Sequence, residues 1–202
     1  MRRVLFALVL SLAACGTIAP IPTDTFYRLT VPAPRPLAKP WCAGPIEVES
    51  LQAGGLLKDR AIVEADSRGV ALRQLPYHFW VDSPEHLIAH ELVAYLRALR
   101  AAPIVLAGQA ESAAYEVRGR VLRFERQRSG EHVRARVGLE LVLVERRQGR
   151  VLLAREYDES SDVATTSVAD AVAALGTGVG AAFGDFAADS DRLLSGAAAP
   201  DR

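Results

Sequence analysis

The sequence has 202 residues, 24 basic against 24 acidic side chains, and half of its residues apolar. That length and apolar content suit one domain with a proper core. The balanced charge leaves no basic footprint, which excludes a nucleic-acid-binding protein. Almost every basic residue is Arg, with only Lys39 and Lys58 as lysines, a pattern we read as the coding bias of a GC-rich genome rather than as selection for phosphate contacts.

Arg2 and Arg3 open the chain, an apolar run follows from Val4 to Leu12, and the small residues Ala13 and Ala14 come next. A positive start, a short apolar core and a small-residue end form a secretory signal. The run falls short of the roughly 18 to 20 apolar residues of a membrane-spanning helix. No later segment is expected to be long enough either. Leu12-Ala13-Ala14-Cys15 resembles a bacterial lipobox, in which the cysteine is acylated and becomes the new N-terminus. One acyl chain binds a membrane marginally and several hold it firmly, so a triacylated Cys15 is a permanent anchor. Gly16 follows where an Asp would favour inner-membrane retention in Gram-negative lipoproteins, which points to the periplasmic face of the outer membrane.

With Cys15 acylated, Cys42 is the sole remaining thiol, and no internal disulfide forms. It reads as a half-buried small residue near the start of the domain, with an intermolecular bridge or a reactive thiol as the alternatives. Pro20, Pro22, Pro32, Pro34, Pro36, Pro40 and Pro45 forbid regular helix and favour extended, semi-rigid chain. Residues 15–44 are therefore expected to be a tether, interrupted by one short strand at 26–31, FYRLTV.

PIEVESLQ at 45–52 and RAIVEADS at 60–67 read as strands separated by Gly54 and Gly55, and an extended aromatic segment, GVALRQLPYHFWVD, follows. Ser83 and Pro84 then start a helix, Ser83 as cap and Pro84 at the first position. Leu87, Ile88, Leu92, Tyr95, Leu96 and Leu99 fall on one of its faces. PIVLAG at 103–108 is a short strand. Three longer strands begin at Tyr115, His132 and Arg150, with turns at Ser129-Gly130 and Gln148-Gly149. In the middle one Val133, Ala135, Val137, Leu139, Leu141 and Leu143 alternate with Arg134, Arg136 and Glu140, the mark of an antiparallel meander with one face on a core. A last helix is predicted over 167–194, capped by Ser167, before a tail at 195–202. The expected fold is α/β: a single domain at 45–194 joined by the strand at 26–31, with a mixed β-sheet that includes the antiparallel meander and two main helices packed on it.

His86 and His90 stand one helical turn apart, but no Glu separates them as in zinc-protease helices and no third ligand is evident, so no metal is expected. Gly176, Gly178 and Ala181 miss the G-x-G-x-x-G spacing, so GTGVGAAFG is no nucleotide loop. Gly176, Gly180 and Gly184 instead repeat every four residues, making a smooth ridge for helix packing within the fold or between subunits. Ser160 and Ser161 among Asp158, Glu159 and Asp162 lack a nucleophile elbow and read as an acidic loop. No catalytic residue and no cofactor is expected. Tyr77, Phe79 and Trp80 either bury against the helix that follows or present a partner-binding surface.

The lipobox, Tyr27-Arg28-Leu29, Ile46-Glu47-Val48, Arg60 with Ile62-Val63, and Trp80 shortly before an amphipathic helix occur in an order that resembles the ABC-type transport auxiliary lipoprotein family, the PqiC-like proteins. The resemblance implies a non-enzymatic partner of an MCE-domain lipid-transport system, docked where the periplasmic MCE conduit meets the outer membrane. It also implies a compact α/β domain and, in some members, a homo-oligomeric ring. The alternative is an accessory lipoprotein of an outer-membrane assembly or secretion complex.

Overall fold

A computed structural model describes residues 22–108 and 112–197. The signal at 1–14 and Cys15 lie outside the described residues. The fold is the expected α/β single domain: one nine-stranded mixed sheet and two long helices.

β7 (Tyr115–Ser129) is the spine of the sheet. On one side it pairs antiparallel with β8 (His132–Glu145), which pairs with β9 (Arg150–Val163). This is the predicted meander. On the other side β2 (Ile46–Val48), β3 (Gln52–Ala53) and β4 (Ala61–Ala65) run parallel to β7 one after another, with Ile46 opposite Tyr115, Gln52 opposite Arg120 and Val63 opposite Glu125. A single 3-10 turn at Gly55–Lys58 separates β3 from β4. β5 (Leu72–Trp80) returns antiparallel to β4, and β1 (Thr25–Tyr27) lies parallel to β5 as an edge strand. β6 (Val105–Ala107) closes the opposite end on β2.

The six alternating residues of β8 predicted to face a core, Val133 to Leu143, are all buried. The helix at Val168–Ala197 packs on β8 and β9, and the helix at Pro84–Leu99 on β2, β3, β6 and β7. In α1 (Pro84–Leu99), Ile88, Leu92, Leu96 and Leu99 are buried as expected, together with Ala89 and Val93. Leu87 and Tyr95 are only partly buried. Pro84 occupies the first turn, but Ser83 makes no side-chain cap, so that expectation is corrected: its Oγ is buried, and Asp82 instead accepts the Ser83 amide at 2.7 Å. α1 ends at Arg100 in the left-handed region, φ 60°, where the Arg100 and Ala101 amides close the last turn.

α2 (Val168–Ala197) is capped as predicted, Ser167 Oγ accepting the amides of Ala169 and Asp170 at 3.1 and 3.4 Å. It runs past the expected start of the tail. Contrary to expectation, Val168–Ser195 is long and apolar enough to cross a membrane by length and composition. Its apolar side is instead used inside the fold, where Leu175, Val179, Ala182, Phe183 and Phe186 are buried.

The proline-rich segment also departs from the expected tether. Only Thr25–Tyr27 is strand, yet Leu29, Trp41 and Cys42 are buried, and the amides of Leu37 and Cys42 donate to the carbonyls of Leu99 and Ala101 at 2.8 and 3.1 Å. Prolines rule out regular structure but not packing, and here they hold an extended strap against the end of α1.

Candidate partner surface

Position β5 decides the surface. Val63 of β4 stands opposite Gln74, yet Ala61 stands opposite Phe79, so β5 carries a bulge between these pairs. Pro76 cannot donate to the ladder and sits there, as proline in a strand must. Tyr77 follows with φ 62°, a conformation costly for a bulky residue. The bulge turns its ring outward, leaving Tyr77 43% exposed.

β1 adds a second row. Phe26 is opposite Phe79, with ring centroids 5.7 Å apart, and is itself 51% exposed. Arg60, at the start of β4, places its guanidinium 5.7 Å above the Phe26 ring and donates from Nη1 to the Val81 carbonyl at 3.4 Å. On the opposite face of β1, Tyr27 Oη and His78 Nδ1 are 3.0 Å apart. Burial raises the Tyr27 pKa above the ordinary phenol range. Tyr77, half-buried Phe79, Phe26, Val81 and Arg60 thus form one amphipathic face at the free edge of the sheet.

Trp80 does not belong to it. Alternation along β5 turns it inward, where it is 1% exposed and stacks on Phe124 at 4.9 Å. Trp80 is buried, though stacked on β7 rather than on the helix expected to cover it, and the partner-surface reading is corrected for it. Phe26 and Arg60 were missed from the sequence; the signal available was the short strand FYRLTV, whose pairing partner no local pattern identifies.

The glycine ridge is occupied within the chain. A Cβ on Gly176 would stand 2.1 Å from the Thr30 carbonyl oxygen, one on Gly180 3.2 Å from Pro32 Cδ, and one on Gly184 3.3 Å from Tyr95 Oη. The strap at 29–32 therefore lies in the groove that Gly176 and Gly180 leave on α2, and α1 meets Gly184. This is packing within the fold.

Cys42 is 1% exposed, and burial pushes its thiol up to about 12. A buried thiol of that kind neither bridges to another chain nor reacts readily. His86 and His90 are exposed on α1, His86 Nδ1 standing 3.4 Å from Asp82. Among the described residues no group of three or more His, Cys, Asp or Glu stands together to hold a metal. The acidic serines are not a loop but continue β9, with Ser160 opposite Arg136 and Ser161 opposite Ala135.

Among the solved structures that share this fold are the following two. A protein of Xanthomonas campestris superposes with a TM-score of 0.72 at 19% identity, covering 86% of this chain and 97% of its own. An uncharacterized protein superposes with a TM-score of 0.68 at 18% identity, covering 83% and 98%. No curated protein matches the sequence. Residues 27–186, from the edge strand with the aromatic face to the middle of α2, match the family described as ABC-type transport auxiliary lipoprotein component, and the chain belongs to that family as an auxiliary lipoprotein.

Proposed function

We propose that this lipoprotein is anchored through acylated Cys15 to the periplasmic face of the outer membrane. There it serves, without enzymatic activity, as the docking partner of the MCE-domain subunit of an ABC-type lipid transporter. The anchor is supported by the lipobox and the transport role by family membership. The observation that carries the docking role is the aromatic face at the free β1 edge. Backbone strain at Tyr77 is tolerated where a fold needs a side chain held out. Large rings flanked by an arginine are the residues that dominate protein contacts when they are covered by a partner. Docking at an edge strand also protects a row of unpaired backbone groups.

The test is a paired substitution, Phe26→Ser with Tyr77→Ser, in the full lipidated chain. Both rings are about half exposed, so the fold is expected to hold with at most a modest fall in melting temperature. Recovery of the MCE subunit from gently solubilised envelopes should fall by about tenfold or more, the loss of one or two hot-spot side chains. Undiminished recovery would remove this face from the reading.

A further inference from the structure

We propose that the tip of the β4–β5 hairpin rests on the lipid surface to which the chain is anchored, placing Val70 and Leu72 in the headgroup layer. This rests on the anchor at Cys15 proposed above. The turn at 66–71 is held by its own first residue: Asp66 Oδ1 accepts the amides of Val70 and Ala71 at 2.8 and 3.3 Å. Gly69, φ 69°, donates to the Asp66 carbonyl at 2.9 Å. The turn is thus fixed with Val70 outward, 75% exposed and the most exposed of the large apolar side chains described, while Leu72 is 45% exposed.

A single exposed aliphatic residue needs no explanation. Here the path of the chain supplies one. β1 is parallel to β5, with Thr25 opposite His78 and Tyr27 opposite Trp80. The chain leading into Thr25 therefore arrives from the side on which β5 begins, the hairpin end. From His78 back to Leu72 a strand covers about 20 Å. The roughly ten residues between Cys15 and Thr25 span at most about 33 Å. An anchor in a bilayer just beyond the hairpin tip is thus within reach of Thr25.

The charges around the tip suit that position. Arg68 and Arg73 are well exposed there and Arg128 less so, and long aliphatic stems of this kind let a guanidinium reach a phosphate from an apolar surface. Each of these arginines also stands near a carboxylate, Arg68 at 3.7 Å from Asp66, Arg73 beside Glu64 and Arg128 at 3.9 Å from Glu131, while Asp66 and Glu64 have further partners in the turn amides and Arg126, so that a phosphate can take a guanidinium without leaving these two carboxylates bare. The β1 edge remains free for the protein partner beside this contact.

The test uses the full lipidated chain in vesicles of phosphatidylethanolamine and phosphatidylglycerol that carry a headgroup spin label. An environment-sensitive fluorophore is attached at Val70→Cys or, as a reference on β9, at Val151→Cys, which replaces a residue 51% exposed. Buried Cys42 and acylated Cys15 leave the new thiol as the labelling site. Flotation first establishes that the chain is vesicle-bound. The Val70 probe should then lose about half its emission or more to the lipid-borne quencher and the Val151 probe little, as for a group entering 5 to 10 Å into the interface. Floating chains with an unquenched Val70 probe, or with equal quenching at both sites, overturn the proposal and leave the anchor standing. Chains that fail to float overturn the anchor and this proposal together.

Discussion

Glu64→Ala lowers the unfolding free energy by about 3–5 kcal/mol, because it strands a guanidinium inside the domain. Glu64 of β4 stands opposite Arg126 of β7, and both side chains point to the core side of the sheet. Their side chains are 5% and 3% exposed, and Arg126 Nε lies 3.0 Å from Glu64 Oε2. Arg126 Nη2 also donates to the Thr166 carbonyl at 3.1 Å, tying the pair to the start of α2. Burial already lowers the Arg126 pKa, so its charge is held there against a desolvation penalty. Arg73, which also meets Glu64, is 69% exposed, and its loss is expected to cost under about 1 kcal/mol. Replacing both buried partners, Glu64→Met with Arg126→Leu, should be close to neutral. Urea denaturation of the mature chain separates these cases, and a Glu64→Ala midpoint equal to that of the parent would contradict the account.

Gly176→Ala destabilises the domain by about 1–3 kcal/mol, although alanine is the better helix former. The added methyl would stand 2.1 Å from a backbone oxygen, that of Thr30, so the strap cannot yield by a rotamer change and must lift. Lifting it exposes Leu29, which is 5% exposed in the fold. Gly184→Ala meets only the end of the Tyr95 side chain at 3.3 Å, and the helix gain of up to about 1 kcal/mol should leave it neutral or stabilising. Opposite signs at two positions of one ridge, read by thermal melting, are expected if the ridge packs within the chain. A ridge that served only an oligomer would give a concentration-dependent melt and no such difference between the two.

The elements legible in the sequence are those whose pattern is local. Ser83-Pro84 and leucines at three-to-four spacing place α1, and alternation along β8 picks out its buried face because the other face carries Arg134, Arg136 and Glu140. The parallel pairing of β2, β3 and β4 with β7 was not legible, since strands brought together from distant segments leave no mark in either one. Pro76 hides β5, whose ladder is broken at the bulge where that proline sits. The strap at 32–42 reads as tether in the sequence because its prolines report backbone preference and say nothing of what Trp41 and Cys42 bury against. Trp80 and Tyr77 are alike as aromatics until β5 is placed as a strand, where alternation turns Trp80 inward onto Phe124 and the bulge holds Tyr77 outward.

The role proposed for this lipoprotein is to dock a lipid-transport conduit at the outer membrane. Capture of the tagged, lipidated chain from gently solubilised envelopes, with mass spectrometry of everything retained, tests it most directly. An MCE-domain subunit together with its ATPase should be recovered. Recovery of outer-membrane assembly or secretion proteins in their place would contradict it.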